Sequence, residues 1–151
     1  MGEIVEQMQG ITLTPLKIIE GDAGKVMHAL KANEESFSEF GEAYFSTVEQ
    51  GKIKGWKKHT KMISNLLVVQ GEVQFVFYDD REGSATKGKY FSIKLSPSVN
   101  YQRLTAEPGL WMAFKGIGEG ENMLLNVSSI VHDPEEAMSK PLGESEIKFP
   151  E

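Results

Sequence analysis

The sequence predicts an all-β fold, a small β-barrel for which a jelly roll fits best, with one or two short helices at most. Three observations carry this expectation. Short alternating or apolar runs recur at roughly 8–12-residue spacing, each closed by Gly, Pro or Asn. Helical periodicity is scarce along the chain. The 151 residues, with 40% hydrophobic and 25% charged side chains, match one soluble domain spanning 1–151. A chain of that size buries roughly two-thirds of its unfolded surface around a single core.

The elements follow in order. Residues 11–14 alternate and stop at Pro15; residues 42–48 form the next strand, closed by Gln50-Gly51. Residues 52–58 read as a strand around Gly55, a suitable place for a bulge. The clearest element is a hairpin: residues 65–69, a Gln70-Gly71 turn, and residues 72–78, in which Val73, Phe75 and Phe77 share one face at period two. A polar loop opens at Asp79-Asp80-Arg81. Strands at 89–95, 101–106, 110–115 and 123–127 follow, separated by Ser96-Pro97-Ser98, Glu107-Pro108-Gly109 and Gly116-Ile117-Gly118-Glu119-Gly120. Helix is expected only as a turn or two at 34–40 and as a short capped piece at 133–137. In the latter Asp133 would be the N-cap, Pro134 the first helical residue and Glu136 the closing member of a capping box.

Composition removes several function classes. Without cysteine there is no disulfide scaffold, thiolate zinc site, iron–sulfur centre or cysteine nucleophile. The longest aliphatic run, Leu66-Leu67-Val68-Val69, is far short of the about 20 residues that a membrane span needs. The opening Met1-Gly2-Glu3 places an acid where a signal peptide wants basic charge, so a cytoplasmic protein with no membrane partner is expected. A net charge of −6 argues against nucleic acid as a partner. The charge is uneven, however. Acid clusters at Asn33-Glu34-Glu35 and Gly143-Glu144-Ser145-Glu146 flank a basic strip holding Lys52, Lys54, Lys57, Lys58, His59 and Lys61. Such a strip suits one small anionic ligand, or it is a lysine-rich edge strand that deters aggregation.

His28, His59 and His132 are far apart, and the close pair Lys57/His59 is a poor metal site because lysine must lose a proton to bind. No metal and no cofactor are therefore expected. Gly116 to Gly120 precedes a strand and is acidic, unlike a phosphate loop. Alternation along the basic strand points Lys57 and His59 one way and Trp56 and Lys58 the other. A lysine and a histidine inside a barrel mouth could stabilise an enolate or bind a diphosphate; the alternative is surface lysines beside a core tryptophan. Asp79-Asp80-Arg81 is a ligand contact or an ion-paired turn, and Trp111 and Tyr78 stack on a base or sugar or pack in the core.

Taken together these residues resemble the dTDP-4-dehydrorhamnose 3,5-epimerases and their relatives. The resemblance rests on Lys54-Gly55-Trp56-Lys57-Lys58-His59, on Gln70-Gly71-Glu72-Val73, on Leu95-Ser96 and on Glu107-Pro108-Gly109-Leu110-Trp111. Its most specific part is the D-x-R-x-x-S-x-T-x-G spacing from Asp79 to Gly88, and it covers about residues 11–150. It implies a cupin jelly roll, a homodimer with strands shared between subunits, and a nucleotide-linked 4-keto sugar in the barrel. It also implies a place in rhamnose or surface-polysaccharide biosynthesis. The implied chemistry is removal of the C3 or C5 proton beside the C4 ketone, stabilisation of the enolate by cations, and return of a proton to the opposite face.

The chain departs from the family pattern at several positions. Lys54 stands at the family's arginine, Lys57 at its base histidine, Met112 at a second histidine and Asn126 at its acid tyrosine. Gly21-Asp22-Ala23-Gly24 stands where the family has Asp-x-Arg-Gly, and the sequence ends at Pro150-Glu151 without the family's long C-terminal tail. The expected proton-transfer group is Lys57 or His59, with Lys54 as anion stabiliser. Lys57 must shed its proton to act as a base, which the neighbouring Lys54 and Lys58 favour, whereas an imidazole needs no such help. Substrate contacts are expected from Asn65, Tyr78, Asp79, Arg81, Arg103, Trp111 and Asn126. Two rivals stand beside this expectation: a 3,4-ketoisomerase, which favours a paired-histidine strand the chain lacks, and a sugar- or nucleotide-binding cupin without catalysis.

Overall fold

The computed structural model describes residues 2–143 and 146–150. Twelve strands run through them: β1 (Ile11–Pro15), β2 (Ile18–Gly21), β3 (Gly24–Met27), β4 (Glu42–Glu49), β5 (Ile53–His59), β6 (Ser64–Gln70), β7 (Val73–Asp79), β8 (Tyr90–Leu95), β9 (Gln102–Ala106), β10 (Leu110–Gly116), β11 (Glu121–Ser128) and β12 (Ala137–Ser139). Two five-stranded antiparallel sheets, in the orders β1-β9-β6-β11-β4 and β12-β5-β10-β7-β8, pack face to face as the expected jelly roll. β2 and β3 form a separate hairpin with Ile18 opposite Met27.

Period-two alternation decides which side chains enter the barrel. Val73, Phe75 and Phe77 of β7 point inward and are at most 1% exposed, with Leu66, Val68, Leu104 and Leu124 packed against them from the facing sheet. The outer face of the second sheet is also covered. Trp56, Val76, Tyr90, Trp111 and Ala113 form a second apolar layer there, under Leu142, Ile147 and Phe149 of the C-terminal segment. β7 and β10 are thus buried on both faces.

The bulge expected at Gly55 is present. Met112 pairs with Lys57 and Ala113 with Gly55, which leaves Trp56 as the extra residue of β5. Gly55 has φ +137°, and a Cβ there would lie 2.6 Å from the Ala113 Cβ, so only glycine fits.

The two expected helices are corrected. Among the described residues there is no helix, and none therefore that is long and apolar enough to cross a membrane. Residues 32–36 are turns, pinned by the side chain of Arg103 rather than by helical bonds. Asp133 does cap its turn, accepting the Glu135 N–H at 3.0 Å, but the chain passes straight into β12. The reason is Glu136, whose carboxylate is drawn inward to Lys61, Met62 and His59 instead of closing a capping box. The β2–β3 hairpin is an addition to the expected elements. In the acidic cluster near the C-terminus, Glu144 and Ser145 lie outside the described residues, as does the terminal Glu151.

Candidate active site

A cavity of about 330 Å³ lies between the sheets, walled by β5 and β10 on one side and by β4, β6 and β11 on the other. Lys54, Lys57 and His59 of β5 line it together with Met112, Phe114, Leu66 and Leu124. The alternation expected for the basic strand holds. Lys58 faces outward, where it meets Asp80 at 2.8 Å and stands 5.1 Å from the Trp111 ring centroid. Lys54 and Lys57 form no ion pair among the described residues, so two cationic side chains are left for a ligand beside an otherwise apolar floor.

His59 is held by a buried carboxylate. Its Nδ1 lies 2.8 Å from Glu136 Oε1, and the Glu136 side chain is 1% exposed. The other oxygen, Oε2, accepts the Lys61 and Met62 N–H groups at 3.0 and 2.9 Å. Burial alone would raise the pKa of Glu136, but the hydrogen bond with His59 and these two backbone donors outweigh it and bring it down to about 2. An ionised carboxylate only accepts, so Nδ1 carries a proton and donates, and in the neutral ring Nε2 is then the acceptor. This is the arrangement of a general base oriented by a carboxylate.

The facing wall carries a second pair. Asn126 on β11 lies opposite Tyr44 on β4, and its Nδ2 donates to the Tyr44 Oη at 2.9 Å. Asn126 Oδ1 and the indole Nε1 of Trp56 are buried and make no hydrogen bond. Asn126 lines the cavity, where an unsatisfied group of this kind is costly unless a ligand or water meets it, whereas the Trp56 indole lies in the outer apolar layer.

The remaining expected contacts are placed elsewhere. Asp79 is fully buried and accepts from Arg81 Nε at 2.9 Å and Thr86 Oγ1 at 2.7 Å, with Ser84 Oγ also bonded to it. Burial works against its charge, but Arg81, Ser84 and Thr86 more than compensate and hold it well below the usual carboxylate range. The specific D-x-R-x-x-S-x-T spacing thus builds a hydrogen-bonded loop. Tyr78 and Trp111 belong to the outer apolar layer, with the Trp111 indole donating to Asp80 at 2.9 Å. Arg103 and Asn65 are outside the barrel on the first sheet. There the Arg103 guanidinium, fully buried, binds Asn65 Oδ1 at 3.0 Å, Glu34 at 3.1 Å and Ser36 at 2.6 Å and ties down residues 29–36. The cavity therefore collects Lys54, Lys57, His59 and Asn126 but not Asn65, Tyr78, Asp79, Arg81, Arg103 or Trp111.

Glu136, Tyr44 and Lys140 are site residues that sequence reasoning missed. Glu136 carries no local signal, because its partner is 77 positions away. Tyr44 could have been found from its parity with Ser46 and Val48, the latter a core residue of the same strand. A more open groove of about 610 Å³ between β1 and β8 is lined by Met8, Ile11, Leu13 and Phe91, with Glu6 as its lone charged residue and no cationic side chain for an anionic ligand. Among the described residues no three His, Asp or Glu side chains come together as metal ligands.

No family model matches the chain. A dTDP sugar isomerase from Desulfovibrio desulfuricans superposes with a TM-score of 0.88 at 33% identity, covering 93% of this chain and 90% of that one. The "Probable low-salt glycan biosynthesis epimerase Agl13" of Haloferax volcanii is 27% identical over 95 residues, 62% of this chain and 60% of that protein's length. The spore coat polysaccharide biosynthesis protein SpsL of Bacillus subtilis is 24% identical over 136 residues, 88% of this chain and 87% of that protein. The chain belongs, as a divergent member, to the cupin-fold sugar-nucleotide epimerases and isomerases typified by dTDP-4-dehydrorhamnose 3,5-epimerase.

Proposed function

We propose that the protein epimerises a nucleotide-linked 4-keto-6-deoxyhexose, a dTDP sugar in the first instance, by moving a proton at a carbon next to the C4 ketone. The observation that carries this is the His59–Glu136 pair at 2.8 Å on the wall of a cavity that also presents Lys54 and Lys57. His59 Nε2 takes the C3 or C5 proton, and the Glu136 carboxylate stabilises the imidazolium that forms. The bond's electron pair moves onto the C4 oxygen, where Lys57 offsets the enolate charge; Lys54 is a second cation for that charge or for the diphosphate.

The similarity to a dTDP sugar isomerase supports the nucleotide-sugar ligand, and the similarity to a probable glycan biosynthesis epimerase and a spore coat polysaccharide biosynthesis protein supports a role in making surface glycans. We read the protein further as a cytoplasmic, single-domain homodimer. Surface left open on one chain, with Phe45 on β4 and Phe40 just before it each more than 60% exposed and Val26 on the β2–β3 hairpin 59% exposed, supports the dimer.

Incubation with dTDP-4-keto-6-deoxyglucose in D₂O, followed by proton NMR, tests the activity. Loss of the C3 or C5 proton signal well above the protein-free rate, with the ketone still at C4, is expected. Migration of the ketone to C3 would make the protein a ketoisomerase, and tight dTDP binding without exchange would make it a binding protein.

A further inference from the structure

The two walls of the cavity differ in chemistry. Lys54, Lys57 and His59 of β5 supply its charge, and Lys140, which directly follows β12, the strand paired with β5, also lines it. Among the described residues the facing sheet adds no charged side chain to the lining; its polar members are Tyr44 and Ser46 on β4 and Asn126 on β11. A wall of neutral hydroxyl and amide groups suits the hydroxyls of a sugar, while the cationic wall suits the C4 oxygen and the diphosphate.

Asn126 is the member of that wall with an unmet requirement. It is 5% exposed, and its Nδ2 is already committed to the Tyr44 Oη at 2.9 Å, so the oxygen is the free end of the amide. Oδ1 is buried without a hydrogen bond. An amide oxygen only accepts, so its partner must bring an O–H or N–H. The χ2 well of an asparagine is broad, and a modest turn within it brings Oδ1 to a ligand in the cavity. Resting on the nucleotide-sugar reading above, we propose that Asn126 is a specificity-determining residue that requires a hydroxyl at C2 of the sugar.

The chemistry of a 4-keto-6-deoxyhexose singles out C2. C1 carries the phosphate ester, the C4 oxygen of the ketone or enolate only accepts, and C5 and C6 bear no hydroxyl. The C2 and C3 hydroxyls remain. C3 lies beside the ketone, so its hydroxyl shifts when that carbon becomes trigonal or inverts. C2 lies one bond farther away, and proton transfer at C3 or C5 leaves its configuration untouched. The C2 hydroxyl therefore satisfies the buried oxygen in substrate, enolate and product alike, and an acceptor left unmet at any of these stages is costly.

Isothermal titration calorimetry with three unreactive ligands tests this: dTDP-6-deoxyglucose and its 2-deoxy and 3-deoxy counterparts, none of which has the ketone. The wild type should bind the 2-deoxy ligand about 10–100-fold more weakly than the parent, and the 3-deoxy ligand should lose clearly less. Asn126→Leu, which removes the acceptor at similar volume, should bind the 2-deoxy and parent ligands within a few-fold of each other. Equal affinity of the wild type for the 2-deoxy and parent ligands would overturn the assignment, and this comparison needs no variant to fold. A 3-deoxy penalty as large as the 2-deoxy one would also overturn it, as would a full 2-deoxy penalty persisting in Asn126→Leu. A wild type that binds none of the three would instead sink the nucleotide-sugar reading and this assignment with it, an outcome distinct from tight binding without discrimination.

Discussion

At the scale of single residues, the site depends on one buried carboxylate. Glu136 joins three partners from the β5–β6 connection, the His59 ring and the Lys61 and Met62 amides. Glu136→Gln keeps the shape and removes the charge that fixes the proton on Nδ1. Turnover should drop on the order of 10²–10⁴-fold with a small change in KM; steady-state kinetics showing an unaltered kcat would contradict the role. The same group sets an acid limit. Its pKa in the folded protein is about 2 against an ordinary 4.5, so its contribution to stability is fully present above about pH 4.5 and is lost as pH falls toward 2. Urea midpoints across pH 2–6 should therefore fall steeply below pH 4.5, and Glu136→Gln should flatten that slope. The sequence displayed His59 and Lys57 openly, as alternate residues on a basic strand, but it hid Glu136 behind a capping-box pattern that served a different purpose.

At the scale of elements, β5 shows how backbone geometry places chemistry. The bulge at Trp56 sends the indole to the outer layer while keeping Lys54, Lys57 and His59 all on the cavity side, a phase that strict alternation from 54 to 57 would not give. Gly55 makes the bulge possible. Gly55→Ala faces both a left-handed φ of +137° and a Cβ 2.6 Å from that of Ala113. The φ alone costs about 1–3 kcal/mol, so a lowered urea midpoint together with a loss of activity is expected; a midpoint equal to the wild type would show that the bulge tolerates a side chain. Strands with clear punctuation, such as the β6–β7 hairpin across Gln70-Gly71, were legible because periodicity and turn chemistry agree there. β2 and β3 were not legible: Ile19 and Val26 are 43% and 59% exposed, so the hairpin lacks the buried face that writes an alternating pattern.

At the scale of the whole molecule, two sheets and an outer apolar layer leave one basic cavity between them. Fold class was readable because the inward residues of β6, β7, β9 and β11 form a single core. The site was readable only in part, because a specific sequence motif and a specific site are different things. Asp79, Arg81, Ser84 and Thr86 make the strongest motif in the chain and spend it on folding a loop. Arg103 and Asn65 spend their polarity on residues 29–36 in the same way. The exposed apolar surface predicts assembly: light scattering should give twice the 16.8 kDa of one chain, and a species of 16.8 kDa would refute the dimer.

The proposed chemistry turns on one assignment: the base is His59, not Lys57. Its most direct test is deuterium exchange into dTDP-4-keto-6-deoxyglucose by the His59→Ala and Lys57→Ala variants, read by proton NMR against the wild type. His59→Ala should lower exchange about 10²–10⁴-fold, while Lys57→Ala, which removes enolate stabilisation but leaves the base, should retain exchange well above that of His59→Ala. Exchange at the wild-type rate in His59→Ala, or its abolition in Lys57→Ala alone, would contradict it.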